Sequence, residues 1–339
     1  MVRSFFRVSR AAVLWALPAL LTIPPARAQS YTITDLGTLG GASSQAHGVN
    51  GSGEIVGQAL TASGDDHAFR YSAGVMSDLN VRGSISVARA INASGQIAGY
   101  YYSKSYQAFL LTNGKLQDLG NLGGNYSAAY GVSVLGHVCG SSYTRKNQEH
   151  AFLWKGGKMI DLGTLGGNYS SARGINKSDQ VVGYAYLASG AFHAFLGSGG
   201  LMTDLGTLGG DLSQADAIND AGQVVGQAYL PGNVKAHAFL DETGPLKDLG
   251  DLSGDYSEAL ALNSTGSQIV GKASVPNSSG FIVYHAFLWS GGSMMDLNSL
   301  IPSDSGWVLS EATGINDGGQ IVGTGTVDGQ QQGFLLNPK

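Results

Sequence analysis

Cysteine is almost absent: Cys139 stands alone in 339 residues, so no internal disulfide can form and stability must rest on buried apolar surface. Proline is scarce, eight in all, and charged residues make up only 13%. That composition excludes a collagen or a disordered chain. Basic residues are outnumbered, 19 against 24 acidic, which argues against a nucleic-acid or anionic-membrane partner because both need basic patches. Beyond the first 28 residues no apolar run is long enough to cross a bilayer, and no segment shows a helical period. Phosphate and dinucleotide motifs are missing too. TLGG and GGNYS are glycine-rich but no lysine follows, and DLGTLGG lacks a strand–helix setting. No cofactor and no metal ion are expected.

The start of the chain is different in kind. Arg3, Arg7 and Arg10 precede the apolar stretch Ala11–Ile23, and Ala26-Arg27-Ala28 supplies small residues for cleavage. Residues 1–28 therefore read as a secretory signal peptide, with residues 29–339 exported to the periplasm or beyond as one domain and a monomer. Removing the four arginines of that segment leaves 15 basic against 24 acidic residues, a net charge of −9.

Glycine is the excess: 52 residues, roughly twice the usual share of about 7%. Its cause is a repeat. Four signatures recur in fixed order, seven times each: SxAxGIN, GQIVG, HAF and DLG. The first ends at Asn50, Asn92, Ser133, Asn176, Asn219, Asn263 and Asn316. Repeats 1 to 7 thus occupy about 43–80, 86–120, 127–163, 170–206, 213–250, 257–297 and 310–337. Each signature is short, apolar and bounded by glycine, as a strand would be. Four-residue turns such as Asn92-Ala93-Ser94-Gly95 join the first two, and Gly-Gly turns join the last two.

Both faces of these strands are apolar, which a sheet with one wet face would not show. Four-stranded antiparallel sheets buried on both sides fit the blades of a seven-bladed β-propeller. The ends agree. The chain after the signal opens with a DLG signature at 31–37 and finishes with a HAF-type one, so segment 31–37 is expected to complete the seventh blade. A linear β-solenoid is the alternative, but it has no use for complementary incomplete ends.

The combination of HAF, MxDLGTLGG, GIN and GQIVG resembles the bacterial extracellular repeat, HAF family, over nearly all of residues 31–337. The resemblance implies export and repetition and brings no activity with it.

The recurring histidines read as framework. His67, His150, His193, His237 and His285 each open the third strand of a different repeat, too far apart to share one ion, and Gln107 and Gln332 replace them in repeats 2 and 7. Glutamine keeps a hydrogen bond but cannot titrate. The repeated His, Ser and Asp are therefore expected to form a polar network holding each blade's strands together, and no catalytic residue is assigned. Cys139 reads as a small buried hydrophobe.

Function should lie where the copies differ. The second x of SxAxGIN is His47, Arg89, Tyr130, Arg173, Asp216, Leu260 and Thr313 in turn, and the loops between second and third strands also vary. With the first strand innermost, those residues would ring the channel mouth. The insertion 298–310 would carry Trp307 to the same rim. Arg89 and Arg173 suit an anionic or polyhydroxylated ligand, and Tyr130 and Trp307 a sugar or aromatic ring. The leading expectation is a non-enzymatic recognition scaffold for a glycan, small anion or partner protein. A carbohydrate-active hydrolase or lyase is the alternative, with Asp216 and either Glu258 or His47 as its only candidate set. A purely structural surface or matrix protein is the third.

Overall fold

The computed structural model describes Met1 and residues 30–339; the expected signal peptide lies outside the described residues. Twenty-eight short strands and one 3-10 turn, Leu297–Ser299, carry these residues, with no α-helix among them. Repeat 3 shows the pattern: Gly123–Val132, Val138–Thr144, Glu149–Lys155 and Lys158–Asp161 pair in chain order as a four-stranded antiparallel sheet. Repeats 4, 5 and 6 do the same. Repeats 1 and 2 share one eight-stranded sheet, joined through a single parallel pair, Asp66 with Ile85. Repeat 7 supplies three strands, and Tyr31–Asp35 completes its sheet with Tyr31 opposite Pro338 and Asp35 opposite Phe334. The closing strand therefore stops two residues short of the expected 37.

The GIN asparagine shapes the tight turn of six repeats, and Ser133 takes its place in repeat 3. Asn92 Oδ1 accepts from the Ser94 and Gln96 amides at 3.0 Å each, an Asx turn, while its Nδ2 donates to the Ser133 carbonyl of the next repeat at 2.8 Å. Asn316 Nδ2 reaches the Asn50 carbonyl at 3.0 Å, so the last repeat holds the first. The apolar cores lie between successive sheets. Ala98, Ala108 and Leu110 of repeat 2 pack with Ala129, Val138 and Phe152 of repeat 3, and Val322 and Leu335 of repeat 7 pack with Ala46, Ile55 and Phe69 of repeat 1. The phenylalanine of every repeat is fully buried, a contribution of about 1.5–3 kcal/mol each.

The polar network does more than hold one sheet together. His237 Nδ1 lies 2.9 Å from Asp248, joining the third strand to the fourth. Asp248 Oδ1 accepts from the Gly250 amide at 2.7 Å, and the Gly250 carbonyl accepts from Ser257 Oγ at 2.6 Å. Ser257 belongs to the next repeat, and its Oγ accepts at 2.8 Å from the amide of Ala238, beside the starting histidine. The histidine arm thus ties strands within a sheet, and the serine arm ties one sheet to its neighbour. His67–Asp78, His150–Asp161, His193–Asp204 and His285–Asp296 repeat the first arm at 2.7–2.9 Å. Gln107 turns instead to Ser105, and the Tyr101 hydroxyl donates to Asp118 in its place. Gln332 accepts from Ser44 Oγ at 3.1 Å. Between repeats 6 and 7 the insertion displaces Ser310, and Asn298 grips the Leu309 backbone through both its amide atoms.

Candidate functional site

Every inner strand carries the same irregularity. Ala46 pairs with Gly57 and Gly48 with Val56, so His47 is one residue too many for the ladder. The same skip singles out Arg89, Tyr130, Arg173, Asp216, Leu260 and Thr313. Each variable x residue is the extra residue of a β-bulge, the device by which a strand re-aims a side chain. The facing GQIVG glycine permits it. A β-carbon on Gly57 would sit 1.9 Å from the Gln45 carbonyl oxygen, and one on Gly226 would sit 2.0 Å from that of Gln214.

All seven bulged side chains line one cavity of about 370 Å³. Gln45, Gln214, Glu258, Glu311 and Thr324 line it with them. Apart from Thr324, these are the first x of SxAx, two residues before the bulge, where strand alternation returns a side chain to the same face. That two-residue spacing from each variable x is the sequence signal that marks Gln45, Gln214 and Glu311. Trp307 does not line the cavity, contrary to expectation. Its ring meets Phe334 edge-on, with centroids 6.2 Å apart, and lies over Gly325, where a β-carbon would come within 3.1 Å of it. Packing the half-buried indole against that gap takes it off the rim.

The cavity wall is divided. On one side, the Arg173 guanidinium carbon lies 4.9 Å from the Tyr130 ring centroid and 5.6 Å from that of Tyr184. Arg89 lies 5.9 Å from Tyr130 and 5.7 Å from Tyr100, and its Nη2 donates to the Tyr100 hydroxyl at 3.3 Å. Rings and guanidinium groups thus alternate as Tyr100, Arg89, Tyr130, Arg173, Tyr184, with cation–π attraction at each contact. The Nε atoms of both arginines are buried without a hydrogen-bond partner among the described residues. Burial works against the charge on Arg173, but Asp216, Tyr130 and Tyr184 outweigh it and its pKa is raised overall. His47 sits deep beside Arg89, and burial with that neighbouring charge lowers its pKa to about 3, so it is neutral.

The other side is acidic. Gln214 Nε2 donates to Asp216 Oδ1 at 2.6 Å and reaches Glu258 Oε1 at 3.4 Å. Burial first, then the Glu258 carboxylate, push Asp216 well above the usual aspartate range, toward its neutral form. Asp216 Oδ2 is buried without a partner among the described residues. Glu258 is held by Lys272 Nζ at 3.1 Å and by the Tyr256 hydroxyl at 2.9 Å. Glu311 lies 3.9 Å from the same ammonium. Burial disfavours the Lys272 charge, and Glu258 and Glu311 more than restore it, raising its pKa. The arrangement offers an anion two guanidinium groups and offers hydroxyl groups a set of amide, carboxyl and hydroxyl partners.

No protein-family model matches the chain, and no curated protein matches its sequence. Solved structures do match its fold. The β-propeller domain of the Trilobed protease from Pyrococcus furiosus, whose topology is described as open velcro, superposes with a TM-score of 0.55 at 7% identity, over 91% of this chain and 97% of that one. Acylaminoacyl peptidase from Pyrococcus horikoshii gives 0.53 at 9% identity, over 87% and 52%. TolB from Acinetobacter baumannii gives 0.52 at 12% identity, over 85% and 64%. The chain therefore spans about two thirds of that TolB and half of that peptidase. At these identities the likeness is one of fold: the described residues form an all-β chain of the β-propeller kind.

Proposed function

We propose that this chain is a seven-bladed propeller of the HAF repeat kind, exported, and that it serves as a recognition scaffold without catalytic activity. The eight-stranded sheet counts as two blades in this reading, since one residue pair joins its halves. The ligand sits in the central cavity, with an anionic group on Arg89 and Arg173 and hydroxyl groups toward Asp216, Gln214 and Glu258. One observation supports this above the others: the residues that vary from copy to copy are the ones the bulges bring to a single cavity, while the unvarying ones are used up in the frame. The volume of about 370 Å³ suits one small polar molecule or one sugar unit. Calorimetric titration of the protein with monosaccharides, sugar acids and small carboxylates tests the reading. A sugar acid is expected to bind, and Arg89→Gln or Arg173→Gln to weaken it about tenfold or more. Unchanged affinity in both variants would defeat it.

A second reading has its own observation. A carboxyl held toward its neutral form, next to one anchored by a lysine and sharing a glutamine donor with it, resembles the unequal carboxyl pairs of glycoside chemistry. Release of reducing ends from glycans, lost in Asp216→Asn and in Glu258→Gln, would favour it over the scaffold.

A further inference from the structure

The arginine–tyrosine ladder does not stop at the cavity. From Tyr100, ring contacts continue to Tyr106 at 5.5 Å, and from Tyr106 to Tyr102 at 5.2 Å and to Tyr126 at 6.2 Å. Tyr126 meets Tyr143 at 5.0 Å. From Tyr184 a second arm runs to Tyr169 at 5.8 Å and to Phe192 at 5.6 Å, and Phe192 meets Tyr186 at 5.7 Å. These rings belong to repeats 2, 3 and 4 alone, and none is fully buried; Tyr102 is 38% exposed. The only other tyrosine pair in ring contact among the described residues is Tyr256–Tyr284. A core would not collect so many phenols, because each hydroxyl needs a polar partner or water.

We propose that this paved sector is an extended binding surface for an acidic oligosaccharide, whose charged end unit occupies the cavity. This rests on the cavity's being the ligand site, as read above. Two features choose the occupant. The pavement is continuous with the cavity through Tyr130 and Tyr100, so whatever enters one lies against the other. Its inner end presents two guanidinium groups whose Nε atoms have no partner among the described residues, a complement to a carboxylate. Tyrosine offers an apolar face to the C–H side of a sugar ring and a hydroxyl to its rim. A single sugar unit would fill the cavity and leave the pavement unused; a chain uses both.

Titration with galacturonic acid, its trimer and its hexamer, and with neutral cello-oligosaccharides of matching length, tests the proposal. Affinity for the acidic series should rise roughly tenfold from monomer to hexamer, one or two stacked rings' worth. Tyr102→Ala and Tyr106→Ala should remove most of that gain. Tyr102 is exposed enough that its variant will fold, and the thermal midpoint checks both. Equal affinity for monomer and hexamer, or a gain untouched by both variants, overturns the pavement while leaving the cavity reading intact. Neutral chains binding as well as acidic ones overturn the acidic class. A length-dependent gain that survives Arg89→Gln with Arg173→Gln sinks the cavity reading and with it the placement of the charged end. No binding by any of these glycans overturns both and points to a protein on this face.

Discussion

Gly183 faces Ser171 so closely that a β-carbon on the glycine would lie 2.0 Å from the serine carbonyl oxygen. The contact exists because the strand bulges at Arg173, two residues later, and swings that carbonyl inward. Gly183→Ala must therefore undo the bulge or push the strands apart. The expected cost is about 3 kcal/mol or more, read as a lower urea midpoint with the slope unchanged. Gly51 is the control. Its conformation is ordinary and nothing lies within 4 Å of its β-carbon position, so Gly51→Ala should change stability by no more than about 0.5 kcal/mol.

This contact also shows where reading the sequence succeeds and stops. Turn residues and strand lengths are local, so the repeats, the closing strand and the innermost position of SxAxGIN were all legible. A bulge is not: it adds a residue to one strand without altering the spacing of the copies. The variable x at Arg173 could be singled out as facing the axis, but not the reason it does so, and the first-x partners Gln214 and Glu311 were missed with it. Trp307 was misplaced because a single-copy insertion has no sister copies to compare. Its position depends on the gap above Gly325, a tertiary fact.

Ser257 joins two sheets, and its replacement isolates that link. In Ser257→Ala the buried Ala238 amide and Gly250 carbonyl both lose their partner. Leaving such groups unpaired costs about 1–3 kcal/mol. Hydrogen exchange at the Ala238 amide should speed up, while the corresponding Ala151 amide, bonded to Ser170, should not change. Equal protection of Ala238 in both proteins would mean that the serine arm carries no load.

His47 and Asp216 pull stability in opposite directions with pH. His47 titrates near 3 when folded and near 6.5 when unfolded, so the unfolded chain binds the extra proton between those values. Its contribution is complete above pH 6.5 and is lost as pH falls toward 3. His47→Gln should flatten that loss, gaining on the order of 2 kcal/mol over the parent at pH 4, because the ring borders an open cavity and the full shift is not realised. Unfolding free energies at pH 7 and pH 4 for both proteins give the comparison.

Asp216 has the reverse sign. Its folded pKa is raised by burial and by Glu258, so the folded chain holds the proton that the unfolded one releases. The resulting penalty begins above the ordinary aspartate value of about 3.9 and grows as pH rises toward the raised value. Asp216→Asn abolishes it. The variant should match the parent at pH 3 and exceed it in stability at pH 7, the gap widening as pH rises between them. A difference that does not change with pH would show that Asp216 ionises freely in the folded protein.

The opposite wall depends on Lys272. Glu258 is only 6% exposed, and among the described residues the Lys272 ammonium at 3.1 Å is the one cation bonded to it, the Tyr256 hydroxyl and the Gln214 amide being neutral. Lys272→Met leaves that carboxylate buried without a compensating charge, which costs about 3–5 kcal/mol. Adding Glu258→Gln to Lys272→Met removes the stranded charge, so the double variant should recover most of the loss, whereas two independent sites would add their costs. Recovery would show that the lysine is there to keep a carboxylate ionised at the cavity wall. Additive losses would show that the contacts of the lysine side chain, whose Nζ lies 6.0 Å from the Tyr284 ring centroid, matter more than its pairing with Glu258.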